Sequence, residues 1–252
     1  MENTTLAPSL PDVRDSTQTT RNAARLDRVF FGGMAIALTL TVFAGFSRTY
    51  YLNDFANAPF ELSPLLHWHG AAFTAWMLLL VAQTTLIATR RVSVHRRLGA
   101  AGAGLAVLLV VLGSTAAVTR TADGSIADQG VPPLLFLAVP LFGMAVFAIL
   151  MGAAVYLRHR SAAHKRLVIL ATLELVTAGV SRLPVVDAWG PVGFFGVIDL
   201  FVIAMVAYDL AALKRVHPAT LWGGVLFVAS QPLRLLIGGS AAWLAFAAWL
   251  TG

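Results

Sequence analysis

The sequence has no cysteine and few charged residues. Only 12% of its 252 residues are Asp, Glu, Lys or Arg, about half of the roughly 25% found in soluble domains. The lack of cysteine excludes a disulfide scaffold and thiolate ligation of a metal. The shortage of charge, together with 58% hydrophobic residues and a mean hydropathy of +0.77, excludes a soluble enzyme and a disordered chain and indicates a membrane protein.

Long apolar stretches are the main feature that is present. A bilayer core of about 30 Å needs roughly 20 apolar residues of helix. Seven stretches are long enough, at about 29–52, 63–89, 97–119, 131–157, 164–183, 192–213 and 218–250. We therefore predict an all-α fold: a polytopic membrane helix bundle of about seven transmembrane helices, with the lipid bilayer as its main partner.

Helix-start and helix-break residues refine these spans. Ser63-Pro64 is an N-cap followed by proline at the first helical position, and Pro218 opens the last stretch after His217. Pro140 and Pro232 predict kinks. Because the last stretch is too long for one straight crossing, Gly238-Gly239 is expected to end its membrane part, with Trp243 and Trp249 at the interface.

Residues 1–28 are polar and contain no apolar run. They predict a disordered cytoplasmic tail, followed by a seven-helix transmembrane domain over 29–252.

Charges in the short loops predict the orientation. The 2–3, 4–5 and 6–7 connections contain ten bases and one acid, Asp209; the bases are Arg90, Arg91, Arg96, Arg97, Arg158, Arg160, Lys165, Arg166, Lys214 and Arg215. Lys and Arg stay on the cytoplasmic side of bacterial membranes. We predict a multi-pass protein of the cell inner membrane with a cytoplasmic N-terminus, and the same placement explains the net charge of +6 without nucleic acid.

Three ionisable residues lie well inside predicted spans: Glu174, Asp199 and Arg234. Each costs about 2.5–3.5 kcal/mol at a helix centre, so an intramembrane charge suggests a function. At about 1.5 Å per residue, these three and Gln231 all fall in the outer half or at the middle of the bundle. Arg182 lies on the same helix face as Glu174, near the outer end.

Two histidines, His67 and His69, also fall in the outer half, on the second span. They are two residues apart and point about 200° away from each other, so a regular helix aims at most one of them into the bundle. The sequence does not decide which one.

Two interpretations of these residues stay open. Asp199 or Glu174 pairs with Arg234 or Arg182 to hold helices together, or His67 or His69, Glu174, Asp199, Gln231 and Arg234 form a polar site for a ligand, an ion or protons. A four-ligand zinc site is a special case of the second interpretation.

A second group of histidines lies at the cytoplasmic ends of the spans: His95, His159, His164 and His217. Membrane haem proteins use histidine pairs from neighbouring helices as axial ligands, so His95 with His164 or His217 is a candidate pair. The alternative is that these histidines lie among lipid headgroups.

The segments LLHWHGAAFTAWMLLLVAQTTLIATRRVSVHRRLGAAG (65–102), HKRLVILATLELVTAGVSRLP (164–184) and HPATLWGGVLFVASQPLRLLIGG (217–239) resemble uncharacterised bacterial seven-helix membrane proteins. The HRRLG and HKRL elements are also similar to the DUF2306 family and, more loosely, to small cytochrome b561-like proteins. The first resemblance implies an inner-membrane location. The cytochrome resemblance implies His67 or His69, His95 and His164 as ligands of at most one haem b, because the outer face lacks a second histidine on another helix.

Three functions follow as hypotheses. The first is a redox or haem-binding protein that uses the histidines. The second is a binding or transport module for a small anionic or amphipathic ligand held by Arg234 and Gln231. The third is a metal-dependent intramembrane hydrolase with zinc near His69, Glu174 and Asp199.

Overall fold

A computed structural model describes residues 13–53, 62–125, 131–183, 186 and 189–252. In these ranges the chain forms helices and no strand. The helices are α1 (Val13–Phe46), a π-helical turn (Ser47–Tyr51), α2 (Pro64–Ala88), α3 (Val92–Ala122), α4 (Pro133–Phe136), α5 (Ala138–Tyr156), α6 (Ser161–Val180), α7 (Gly190–Leu213), α8 (Pro218–Gly238) and α9 (Ala241–Thr251). The predicted all-α polytopic helix bundle is confirmed.

Polar side chains and prolines set the helix starts as expected. The Ser63 hydroxyl accepts from the Leu66 N–H at 3.4 Å, and Pro64 is the first residue of α2. His217 caps α8 in the same way, since its Nδ1 accepts from the Ala219 N–H at 3.0 Å.

Pro140 acts one turn before the position at which we predicted a kink. In a regular helix, the ring of Pro140 would clash with the carbonyl group of Phe136, four residues earlier. The helix is accordingly interrupted at Leu137, between α4 and α5. Pro232, by contrast, lies inside the continuous helix α8.

Six helical segments are long and apolar enough to cross a membrane within the described ranges. They contain α1, α2, α3, α4 with α5, α7 and α8. The fifth predicted span, α6, is not among them. Its 20 residues include Lys165, Arg166 and Glu174, and these charges lower its hydropathy.

Helix α6 is the centre of the bundle. Of its 20 residues, 14 are buried, and it packs against α1, α5, α7 and α8. A helix of this length spans about 30 Å. Because its neighbours separate it from the surroundings, α6 can contain charged residues that an exposed transmembrane helix would not tolerate.

Contacts among loops and helix ends define two ends of the bundle. We call the end formed by residues 21–28, 88–97, 156–166 and 209–218 the basic end, and the other one the opposite end. Asp27 of α1 forms an ion pair with Lys165 and accepts from the Tyr208 hydroxyl at 2.7 Å. The first part of α1 therefore lies at the basic end.

The outer surface of the bundle is apolar. Leu200 is 61% exposed, Val107 65% and Leu236 73%, a pattern typical of a lipid-facing surface. Exposed aromatic residues flank this surface, with Trp68 and Trp189 at the opposite end and Tyr156 and Trp222 towards the basic end. Such belts are typical of the two membrane interfaces. The fold is that of a multi-pass membrane protein.

The C-terminal part folds back after α8. Helix α8 ends at Gly238, and Ser240 caps the short apolar helix α9. The prediction for Trp243 is wrong: this residue is 8% exposed, and its Nε1 donates to the Leu134 carbonyl at 2.8 Å. Trp249 is 76% exposed.

Helix α1 begins at Val13, before the predicted start of the first span at residue 29. The structure thus extends the helix into the segment predicted as a disordered tail. Residues 1–12 lie outside the described ranges, as do Asp54, Glu61, Asp128 and Asp187 of the 1–2, 3–4 and 5–6 connections.

Candidate functional site

Arg234 and Glu174 form a buried ion pair between α8 and α6. Nη1 of Arg234 donates to Oε2 of Glu174 at 3.2 Å, and Nη2 donates to Oε1 at 3.0 Å. Arg234 is 3% exposed and Glu174 5%. Two parallel N–H···O bonds are the strong geometry of an arginine–carboxylate pair.

The Ser230 side chain and backbone complete the surroundings of Arg234. Its Nη2 also donates to the Ser230 hydroxyl at 2.5 Å, and its Nε donates to the Ser230 carbonyl at 3.2 Å. Each of the three guanidinium nitrogens thus has a protein partner. All of these partners belong to Glu174 or to helix α8. This supports the interpretation that Arg234 and Glu174 pair to hold two helices together.

Asp199 and Gln231 form a second, separate contact between α7 and α8. The Gln231 amide nitrogen donates to Oδ1 of Asp199 at 2.7 Å. Asp199 is half-buried and Gln231 is 5% exposed. The two residues that were assigned to ligand binding in the second hypothesis, Gln231 and Arg234, are therefore both occupied by carboxylates of neighbouring helices.

These pairs leave little support for the predicted zinc site. Glu174 faces Arg234, and Asp199 faces Gln231. Within the part of the chain that the structure describes, no three His, Asp or Glu side chains are grouped so that they could hold a metal ion.

At the opposite end, the structure decides between His67 and His69. His67 is exposed, and its carbonyl accepts from the Tyr50 hydroxyl at 3.3 Å. The His69 ring lies 5.8 Å from that of Phe73, and its Nδ1 is buried and has no hydrogen-bond partner in the described part of the chain. His69 is thus the inward-facing histidine. A buried polar atom without a partner needs an explanation, such as a bound water or ligand.

Arg182 lies beside this histidine and not beside Glu174. Its guanidinium stacks on Phe46 at 4.5 Å from the ring centroid, and Phe46 in turn packs against Phe73 at 6.1 Å. Its Nη1 donates to the Ala178 carbonyl at 2.5 Å. Among the described residues, the Arg182 charge acts on His69, and the Arg120 charge acts on Arg182.

The π-helical turn closes the same region. The Tyr51 hydroxyl hydrogen-bonds that of Thr74 on α2 at 2.8 Å, and Thr49 has a buried hydroxyl without a partner among the described residues. We call His69, Arg182, Phe46 and Phe73 the opposite-end cluster. It combines positive charge with the unsatisfied Nδ1 of His69, which suits an anionic group.

At the basic end, the structure brings His95 and His164 together. Their ring centroids are 6.5 Å apart, with the rings nearly perpendicular. His217 is used as the N-cap of α8 and His159 is exposed. Of the two pairs that the sequence suggested, the structure therefore selects His95 with His164.

Hydrogen bonds determine the proton positions in this pair. Nδ1 of His164 lies 2.8 Å from the Ala154 carbonyl, which only accepts, so the lone pair of His164 is on Nε2. With the Gln83 amide oriented to accept from the Gly99 N–H at 3.0 Å, its nitrogen donates to Nδ1 of His95 at 2.7 Å. This orientation of the amide, assigned from the hydrogen-bond network, places the proton of His95 on Nε2.

In this arrangement the two histidines do not both offer a lone pair to a haem b or another metal. Each ligating imidazole needs a lone pair directed at the metal, whereas His95 uses its lone pair on Gln83 and leaves an N–H. His95 and His164 instead present one donor and one acceptor, which is suited to hydrogen bonding.

A buried network at the basic end was missed by the sequence analysis. Arg166 and Asp209 form an ion pair, and both are almost fully buried, at 2% and 0% exposure. The second oxygen of Asp209 accepts from the His217 N–H at 3.0 Å. The sequence places Arg166 and Asp209 at loops; the signals of their burial are the apolar residues on both sides of Asp209 and those that follow Arg166.

Comparisons with protein-family models, with curated proteins and with solved structures found no match to this chain.

Proposed function

We propose that this integral membrane protein binds a small anionic ligand, or the anionic group of an amphipathic one, at the opposite-end cluster. The observation that carries the proposal is the buried Nδ1 of His69: among the described residues it has no hydrogen-bond partner, and the charge that acts on it is that of Arg182. This is the second of the three hypotheses, with Arg182 in the place that we had given to Arg234.

The charge balance of the two polar regions supports this assignment. The Arg234 charge is neutralised by Glu174 at hydrogen-bond distance. Arg182, in contrast, has an aromatic ring and a backbone carbonyl as its contacts among the described residues. A guanidinium has five N–H donors, so Arg182 retains donors for a carboxylate or phosphate.

We also propose that the basic end is cytoplasmic and the protein lies in a bacterial inner membrane. The support is the concentration of exposed Lys and Arg in the loops of the basic end. The opposite-end cluster then faces the periplasm. Fusing a reporter that is active only in the cytoplasm to the N-terminus tests this orientation, and an inactive reporter on a membrane-inserted fusion contradicts it.

Ligand binding is tested by thermal unfolding of the detergent-purified protein with added oleate, inorganic phosphate or uncharged oleyl alcohol. We expect an anion to raise the unfolding temperature, because a ligand that binds only the folded state stabilises it. Arg182→Gln should weaken this binding by about tenfold or more, since a hydrogen bond to a charged group contributes about 1.5–3 kcal/mol.

Arg48→Gln is the matched control, because Arg48 is an exposed arginine in the π-helical turn at the same end. Equal losses for Arg48→Gln and Arg182→Gln point to unspecific charge attraction and contradict the proposal. So does an equal effect of oleyl alcohol, which has the same chain without the anionic group.

A further inference from the structure

A groove on the outer surface of the bundle is not used by the function proposed above. It lies between α1 and α2, has a volume of about 410 Å³ and is lined by Ile36, Thr39, Leu40, Leu78, Val81 and Ala82. The lining is apolar apart from Thr39, whose hydroxyl donates to the Ala35 carbonyl of its own helix at 2.7 Å. In a bilayer, such a groove is a place for hydrocarbon chains.

Positive charge lies at the end of this groove nearest the basic end. The two helices run antiparallel, and the lining residues closest to that end are Ile36 and Ala82. Arg28 and Arg90 are each eight residues further on, so both lie about 12 Å beyond the groove. Arg25 precedes Ile36 by about three helical turns and shares its face.

Between the groove and these arginines, the surface of α1 consists of two glycines and the apolar Val29, which is 63% exposed. Gly32 and Gly33 lie between Ile36 and Arg28, and a Cβ atom placed on either would have no neighbour within 4 Å. An apolar surface on α1 therefore joins the groove to the level of the charges.

Arg90 lies in a turn that suits glycine. It has φ = 62° and occupies the position after the end of α2 where glycine is usual, with its N–H donating to the Ile87 carbonyl at 3.1 Å and the Arg91 N–H to that of Leu86 at 2.8 Å. Glycine adopts this left-handed conformation more easily than residues with a side chain. Arg90→Gly therefore removes the charge and keeps the turn.

We propose that this groove is a binding site for one anionic phospholipid. An acyl chain lies along the groove, and Arg28 and Arg90, with Arg25 nearby, contact the phosphate. The site selects lipids by net headgroup charge, because a zwitterionic lipid carries a compensating cation next to its phosphate. The proposal is independent of the ligand proposed for the opposite end.

The experiment is native mass spectrometry of the purified protein with phosphatidylglycerol or phosphatidylcholine of identical acyl chains. We expect one phosphatidylglycerol to stay bound in preference to phosphatidylcholine. Arg90→Gly should reduce its affinity by about fivefold, from roughly 1 kcal/mol per basic residue at a membrane surface. Because glycine suits the turn, this variant should fold at least as well as the parent protein.

Lys214→Gly is the matched control. Lys214 is also a basic residue of the basic end with positive φ, 57°, but it lies after α7, away from the groove. It should leave phosphatidylglycerol binding unchanged. An equal loss for both variants shows that the basic end attracts anionic lipids without a site, and overturns the proposal.

A bulky side chain in the groove tests whether an acyl chain of the lipid lies there. Ala82→Phe should remove the tightly bound phosphatidylglycerol, whereas Ala229→Phe, at an exposed alanine of α8, should keep it. Retention of the lipid by Ala82→Phe, or equal retention of both lipids by the parent protein, overturns the proposal.

Discussion

Arg234 of α8 and Glu174 of α6 form a bidentate ion pair at the centre of the bundle. Gly143 of α5 lies against it: a Cβ at this position would be 3.4 Å from Oε2 of Glu174 and 3.5 Å from Nη1 of Arg234. The pair is thus enclosed by three helices. Its role in the structure is to define how α8 is placed against α6.

We expect either Arg234→Leu or Glu174→Leu to lower the free energy of unfolding by about 3–5 kcal/mol, because each leaves a buried charge without its partner. The double variant should recover most of this loss, since no charge remains to be compensated. Unfolding of the purified protein by added SDS measures the three values. A double variant less stable than both single variants contradicts a simple structural pair.

The second polar contact supplies a control for this series. Asp199→Asn keeps an oxygen that accepts from the Gln231 amide, and Asp199 is only half-buried. We expect Asp199→Asn to change the free energy of unfolding by about 1 kcal/mol or less.

Gly45 and Gly179 mark the closest approach of α1 and α6. A Cβ on Gly45 would overlap the Gly179 carbonyl, and one on Gly179 would lie 3.2 Å from the Val42 Cα. We expect Gly45→Ala to lower the free energy of unfolding by about 1–3 kcal/mol, because the backbones must separate. Gly33→Ala, which meets nothing within 4 Å, should be neutral or stabilising in the same SDS titration.

The sequence predicts much of the fold because its signals are local. Ser63-Pro64 and His217-Pro218 begin helices where expected. The central position of α6 was not predictable in this way, since hydropathy describes a helix alone and not the neighbours that enclose it. The close approach at Gly45 and Gly179 depends in the same way on which helices are adjacent.

For the polar residues too, local signals identify the positions but not the partners. Depth and helical phase singled out Glu174, Asp199, Gln231 and Arg234, and all four are in contacts. Their partners were left open, because the order of helices around α6 decides them. Arg166 and Asp209 were assigned to loops, since charges next to a predicted span boundary look the same whether they are exposed or buried.

The hydrogen-bonded arrangement of His95 and His164 predicts the absorption spectrum of the protein. We expect protein purified from haem-supplemented cells to show no Soret band, because His95 directs an N–H and not a lone pair towards its surroundings. A Soret band that disappears in His164→Ala contradicts this expectation and supports the cytochrome resemblance instead.

His217 predicts a pH dependence at the basic end. Burial, reinforced by the charge of Arg166, lowers the pKa of His217 below its ordinary value of 6.5. Its Nδ1 accepts from the Ala219 N–H at the start of α8, and a protonated ring has no lone pair for this bond. The unfolded chain therefore binds a proton more readily than the folded protein.

Neutral His217 therefore stabilises the folded protein. Its contribution to the free energy of unfolding is complete above about pH 6.5 and is lost as the pH falls below that value towards the folded-state pKa. Unfolding temperatures recorded from pH 8 to pH 5 should fall at the acidic end. His217→Asn retains a capping side chain without titrating and should flatten the profile. His159→Asn, at an exposed position, should leave it unchanged; an equally steep fall in His217→Asn assigns the effect to another group.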